Sequence, residues 1–345
     1  MDLKFNIIFV PGTVRYLKLG VLSLLKHSSY RYCLVANGLG EEERLILEKL
    51  CYGSERLEYF YYPSKVVMDH GTILNILFQR ENPEYFCMAD SDVFAAGPFE
   101  EELEKQLQEC DVLSSCLPLA MNPTDVLPGF YGKCLQTPGG LPLSPTFLCV
   151  YRADLFRKII LETKIGFEIY HPAEYLPESV KQLDLPDNLQ EPRLIDTGKL
   201  LNIMASRYGA RFRHVEISNL IHIGGISDLR GSWRNKMKEG VRVLFRRPYV
   251  FSDKRFRSEM RRRNKSKTIK DLRDNTNASN ADAHLYTRAL RMPLAIFFTH
   301  FFRSLFDGTP EPLFEVNDEY LQQSIDRITK LIRELYFEEY GLRKN

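Results

Sequence analysis

From residue 4 to residue 90, short apolar runs alternate with segments whose apolar positions recur every three or four residues. That alternation predicts βαβ units and a largely parallel sheet. The predicted strands are KFNIIFV (4–10), YRYCLVANG (30–38), RLEYFYYP (56–63) and EYFCMAD (84–90). Between them, VRYLKLGVLSLLKH (14–27), EEERLILEKLC (41–51) and DHGTILNILFQR (69–80) carry the helical period. The acids that open the second helix suit its dipole, and Asp69 stands where it can cap the third.

Beyond Phe99 the pattern is less regular. It predicts an acidic helix over 99–110, a strand at DVLSSCLPL (111–119) and a Pro/Gly-rich loop at 136–145. A strand and helix follow in TFLCVYRADLFRKIILETK (146–164), then a helix over 194–209 and strands over 212–227 that close on a glycine pair. A polar break at 273–284 precedes two more helical patterns, 285–306 and 317–340, and no internal repeat is present.

Composition narrows the class. A chain of 345 residues with 44% hydrophobic and 27% charged positions can bury one large core, or a core domain with a smaller appendage. Its seven cysteines include no C-x-x-C pair and sit mostly among apolar neighbours, as in a reducing compartment. The opening MDLKFNIIFVPG lacks the pattern of a secretory signal, and no run of 18 apolar residues occurs. A cytoplasmic location is therefore expected. The net charge of +2 conceals an asymmetry, because residues 230–273 hold 17 Lys or Arg against four acids.

Asp90 and Asp92 flank Ser91 at the end of the fourth predicted strand. In α/β sheets, ligands bind outside the carboxyl ends of strands, where helix N-termini also point. Two carboxylates spaced by two strand positions lie about 6–7 Å apart on one side, close enough to share a hard divalent cation beside a diphosphate. The same tripeptide also serves ordinary turn chemistry, with side chains bonding the backbone two residues on. Its place after a fourth strand in a βαβ series favours the ligand-binding reading.

With these motifs, residues 4–227 resemble the GT-A glycosyltransferases, with a family-2-like D-x-D motif in MADSDVF. The resemblance implies a GT-A, Rossmann-like nucleotide-diphospho-sugar transferase fold in the α/β class with a helical C-terminal extension. It implies a catalytic domain over 1–229, with a donor half to about 100 and an acceptor half beyond, and an extension over 230–345. FNIIFVPGT resembles the first nucleotide-contacting strand, so Val10, Pro11 and Gly12 are donor candidates, joined by Asn37, His70, Asn75, Asp90 and Ser91. HIGG resembles a late element that supplies a third metal contact, giving Asp90, Asp92 and His222 as the ligands of Mn2+ or Mg2+. IDTGKLL resembles an acceptor-side carboxylate motif, in which Asp196 is the catalytic base if the transfer inverts configuration and orients the acceptor if it retains it; acceptor candidates are Pro145, Thr146, Thr197, Gly224 and Gly225. Each also has a plain structural role open to it: Asp196 as a helix cap, Asn37 in an Asn-Gly turn, His222 as a satisfied histidine.

The implied partners are a nucleotide-diphosphate sugar and a glycan or lipid-linked glycan acceptor, in surface polysaccharide or other glycan synthesis. The basic and aromatic stretch 254–306 is a candidate for an anionic membrane surface, which would make the protein peripheral on the cytoplasmic face, or for a homodimer contact. Packing of the aromatic helix on the catalytic domain is the default expectation. A sugar-nucleotide nucleotidyltransferase is the nearest enzyme alternative, although its glycine-rich basic loop after the first strand is poorly matched by VPGTVRYLKLG. Nucleic-acid binding through 230–273 is the non-enzyme alternative; no reader motif supports it, so nucleic acid is not an expected partner.

Overall fold

In the computed structural model, which describes residues 1–64, 66–115, 148–170, 197–215, 217–223, 250–252, 297–315 and 319–341, the apolar runs form one sheet. β1 (Lys4–Phe9) pairs in parallel with β2 (Arg31–Ala36) on one side and β4 (Tyr85–Asp90) on the other, and β2 pairs in parallel with β3 (Leu57–Tyr61). The connecting helices α1 (Val14–His27), α2 (Glu41–Tyr52) and α3 (His70–Arg80) fall where the period places them. Asp69 stands at the N-cap of α3 without a side-chain cap bond.

The second half departs from a parallel series. After the Asp-Ser-Asp turn a short β5 (Val93–Ala95) leaves the main sheet, followed by α4 (Glu100–Leu107) and β6 (Val112–Ser115). β7 (Leu148–Arg152) then runs antiparallel to both β4 and β6, and α5 (Ala153–Thr163) leads away from it. α6 (Lys199–Arg207) and β8 (Phe212–Val215) bring the chain back to pair in parallel with β6. The sheet order is β3-β2-β1-β4-β7-β6-β8, a mixed α/β fold. β9 (Leu220–His222) pairs antiparallel with β5, and β10 (Val250–Ser252) pairs in parallel with β11 (Leu313–Glu315).

Alternation along the strands splits the core into two layers. Phe5, Ile7, Leu34, Cys87 and Ala89 face α1, α4 and the C-terminal helices, while Ile8, Val35, Phe86, Met88 and Cys149 face α3, α5 and α6. On the second face Phe78, Phe86 and Phe167 pack with ring centroids 5.0–5.7 Å apart, an aromatic layer beneath the start of β4.

α7 (297–307) and α8 (Glu319–Tyr340) form the helical C-terminal part. Phe297, Phe298, Phe301 and Phe302 are buried in the first layer, so this face of the aromatic helix is spent on the core rather than offered to a bilayer. Ion pairs fasten these helices to α1: Lys18 with Glu339 at 2.5 Å and Arg15 with Asp307 at 2.8 Å. Among the described residues no helix is long and apolar enough to cross a membrane.

Candidate metal centre

The end of β4 is where this topology gathers charge. Asp90 shares the face of Met88 and pairs in register with Ile8 of β1, and the turn through Ser91 carries Asp92 into a buried position at 6% exposure. The short β5 then pairs with β9, setting Val93 opposite His222, and the Ile223 amide donates to the Asp92 carbonyl at 3.1 Å. Two segments about 130 positions apart thus converge, placing the His222 Nε2 3.1 Å from Asp92 Oδ1 and 3.5 Å from Asp90 Oδ2.

Within this cluster, burial alone would favour a neutral imidazole, but the charges and hydrogen bonds of Asp92 and Asp90 outweigh it and push His222 up to about 9. The imidazolium supplies positive charge that a cation would otherwise bring. Ligand atoms of all three residues lie within 4.8 Å of one another. Donors on one ion at about 2.1 Å are at most about 4.2 Å apart, so a closure of about half an ångström forms a coordination sphere. Two carboxylates with one imidazole fit a divalent ion such as Mn2+, the imidazole ligating only after losing its proton.

α1 supports the turn from below. Gly20 passes so close that a Cβ there would sit 2.9 Å from the Val93 carbonyl and 3.3 Å from that of Ser91. Ser23 accepts from the Ala95 amide at 2.9 Å and donates to the Gly20 carbonyl at 2.6 Å, tying β5 to the helix. An isolated glycine inside a helical period is the sequence signal for such a packing contact, but the period does not say which segment it meets.

The other expected site residues are distributed around the same rim. Val10, Pro11 and Gly12 form the β1–α1 loop, with Gly12 at φ 80°. Glu43 from the first turn of α2 accepts from the Gly12 amide at 2.9 and 3.0 Å and from Val14 at 3.3 Å, so a carboxylate of the chain itself sits at the start of α1. Asn37 is buried and clasps Met68, donating to its carbonyl and accepting from its amide, both at 2.9 Å. His70 opens α3, and Gly71 beside it lies against the Phe167 carbonyl. Asn75 accepts from the Phe167 amide at 2.8 Å, and the Gly198 amide donates to the Phe167 carbonyl at 3.0 Å. These bonds fix buried Thr197, and the turn that opens α6, beside the mouth of α3. Asp196, Pro145, Thr146, Gly224 and Gly225 lie outside the described residues.

No protein-family profile matches the sequence, and no curated protein matches it. Among solved structures, the chain is similar to TarS of S. aureus, with TM-score 0.39 and 17% identity over 64% of this chain and 36% of that one. It is also similar to PcManGT, a mannosyltransferase from Pyrobaculum calidifontis in complex with GDP-Man and Mn2+, with TM-score 0.41 and 13% identity over 85% and 72% of the two chains. The galactosyltransferase LgtC, in complex with donor and acceptor sugar analogues, gives TM-score 0.40 and 12% identity over 75% and 78%. The chain spans about a third of the length of TarS. At these scores the likeness carries no argument about activity.

Proposed function

We propose that this protein is a metal-dependent glycosyltransferase that moves a sugar from a nucleotide-diphosphate sugar to a hydroxyl of a glycan or lipid-linked glycan, in surface polysaccharide or other glycan synthesis. The observation that carries this reading is the convergence of Asp90, Asp92 and His222 at the carboxyl end of β4, the position where an α/β sheet binds phosphorylated ligands. Asp90, Asp92 and His222 would hold Mn2+ or Mg2+, and a bound cation supplies Lewis acidity to a departing diphosphate.

The remaining roles belong to the same proposal. Val10, Pro11, Gly12, Asn37, His70, Asn75 and Ser91 border the donor side. Because the Gly12 amide is directed at Glu43, Gly12 contributes shape there rather than a phosphate contact. Asp196 directly precedes the Thr197 turn, and in an inverting transfer its carboxylate takes the proton of the acceptor hydroxyl. That oxygen forms the new bond to the anomeric carbon while the bond to the diphosphate oxygen breaks, the electron pair leaving with the diphosphate. Pro145, Thr146, Thr197, Gly224 and Gly225 would line the acceptor side. The carboxylate of Glu43 at the β1–α1 loop weighs against a nucleotidyltransferase, which needs that loop to cradle a triphosphate. A cytoplasmic enzyme with its basic segment toward an anionic membrane, alone or as a homodimer, would suit a lipid-linked acceptor.

The test is a panel of nucleotide sugars with Mn2+ or Mg2+, reading nucleoside diphosphate release by wild type and by Asp92→Asn. Metal-dependent release that drops at least about a hundredfold in the variant is expected. Equal turnover by the two proteins would remove Asp92 from the site.

A further inference from the structure

β5 follows Asp92 and β9 ends in His222, yet each strand is only three residues long. A two-stranded ribbon of that size is marginal by itself, so whatever fixes it also fixes the approach of His222 to the acids. One end is closed by the Ile223 amide on the Asp92 carbonyl. The other end is held by Asn219 and Arg327.

Beyond the last rung, Ala95 with Leu220, the Ala96 amide donates to the Asn219 carbonyl at 2.8 Å. The Asn219 side chain then bonds in two directions. Its amide donates to the Pro98 carbonyl at 2.6 Å, and its oxygen accepts from Arg327 Nη2 at 2.5 Å. The same nitrogen donates to the Ala96 carbonyl at 3.0 Å, so one guanidinium of α8 holds both strands. Gly97 makes room for this arrangement, because a Cβ there would sit 3.0 Å from the Asn219 side-chain amide. The turn bearing Asp92 thus rests on α1, through Gly20 and Ser23, while the ribbon leading to His222 is pinned by α8. Ion pairs of Lys18 with Glu339 and of Lys26 with Glu338, the latter at 3.1 Å, keep the two helices in one frame.

We propose that Asn219 and Arg327 are positioning residues of the Asp90–Asp92–His222 centre, which hold the β5–β9 ribbon where His222 reaches the acids. Docking of α8 and binding of a divalent cation are then reciprocal, each strengthening the other by the same factor. This inference rests on reading the triad as a divalent-cation site. Its signature differs from that of a packing role: Arg327 is exposed, where a substitution changes global stability little, whereas a displacement of about half an ångström at a ligand is felt by a metal ion.

The experiment titrates the full chain with Mn2+ by calorimetry, comparing wild type, Arg327→Ala, Asn219→Ala, the double variant and Lys26→Ala. The last cuts an exposed ion pair between α1 and α8 without touching the ribbon. Expected is Mn2+ binding roughly three- to tenfold weaker in each ribbon variant, with the double variant close to Asn219→Ala because the two residues act through a shared bond. Lys26→Ala stays within about twofold of wild type. Hydrogen exchange reads the reverse direction: Mn2+ slows exchange of the α8 amides in wild type and leaves it unchanged in Arg327→Ala. Unchanged Mn2+ affinity in either folded ribbon variant overturns the proposal, as does α8 exchange in wild type that ignores Mn2+. Equal weakening by Lys26→Ala also overturns it, by assigning the effect to helix docking at large, and unfolding of both ribbon variants does so by assigning the pair to stability. Wild-type protein that binds no Mn2+ sinks the metal-centre reading and the inference with it, whereas wild-type binding with no effect of Asn219 or Arg327 sinks the inference alone.

Discussion

His222 binds the two halves of the centre together, and its removal is the sharpest probe of the cluster. His222→Ala takes away one of the three proposed ligands while the β5–β9 backbone pairing stays in place, so Mn2+ affinity is expected to fall at least about tenfold with little loss of fold. Calorimetry alongside thermal unfolding separates the two effects. A second carboxylate, Asp111, controls stability far from the rim. Burial opposes its ionisation, but the Arg211 side chain and amide, with Arg152, hold it below the usual carboxylate range. Folding favours the ionised form, so the stability Asp111 contributes is complete above about pH 4 and is lost as pH falls through its lower folded-state value. Asp111→Asn is expected to cost about 1–2 kcal/mol at pH 7 and to flatten the acid limb of a urea-midpoint profile. Asp90 and Asp92 were legible from sequence because a paired acid at a strand end is a local signal. Glu43 was not, because its meaning depends on which backbone it meets.

At the scale of elements, the proposed metal centre depends on how closely α1 approaches the turn after β4. Gly20→Ala drives a methyl group to 2.9 Å from a backbone carbonyl, and neither partner is a flexible side chain. A loss of about 1–3 kcal/mol is expected, with weaker Mn2+ binding because the displaced carbonyls belong to the ligand-bearing segment. Gly40→Ala, where a Cβ meets nothing within 4 Å, is the control and is expected to cost less than about 1 kcal/mol. Measuring both by denaturant unfolding and metal titration checks the argument, since equal effects would mean that the helix approach does not matter. The first four strands and three helices followed their hydrophobic periods closely. β7 did not announce its direction, because a strand buried on both faces reads alike parallel or antiparallel.

For the molecule as a whole, the C-terminal helices brace the centre from behind. The Phe302 ring stacks on Phe94 of β5 at 6.2 Å, and Arg327 donates to the Ala96 carbonyl at 3.0 Å. Phe302→Ala is expected to lower stability by about 3–5 kcal/mol and also to weaken Mn2+ binding, although residue 302 touches no ligand; a variant that loses stability with unchanged metal affinity would show the two regions to be independent. The sequence by itself determined the α/β class, the order of the first seven elements and the pair of acids at a strand end, because each is written in spacings of a few residues. Only the tertiary structure decided that His222 meets those acids, that Gly20 lies beneath the turn they flank and that the aromatic helix packs inward. The physical reason is range: periodicity and propensity act between neighbours along the chain, whereas charge, steric contact and burial depend on which distant segments folding brings together.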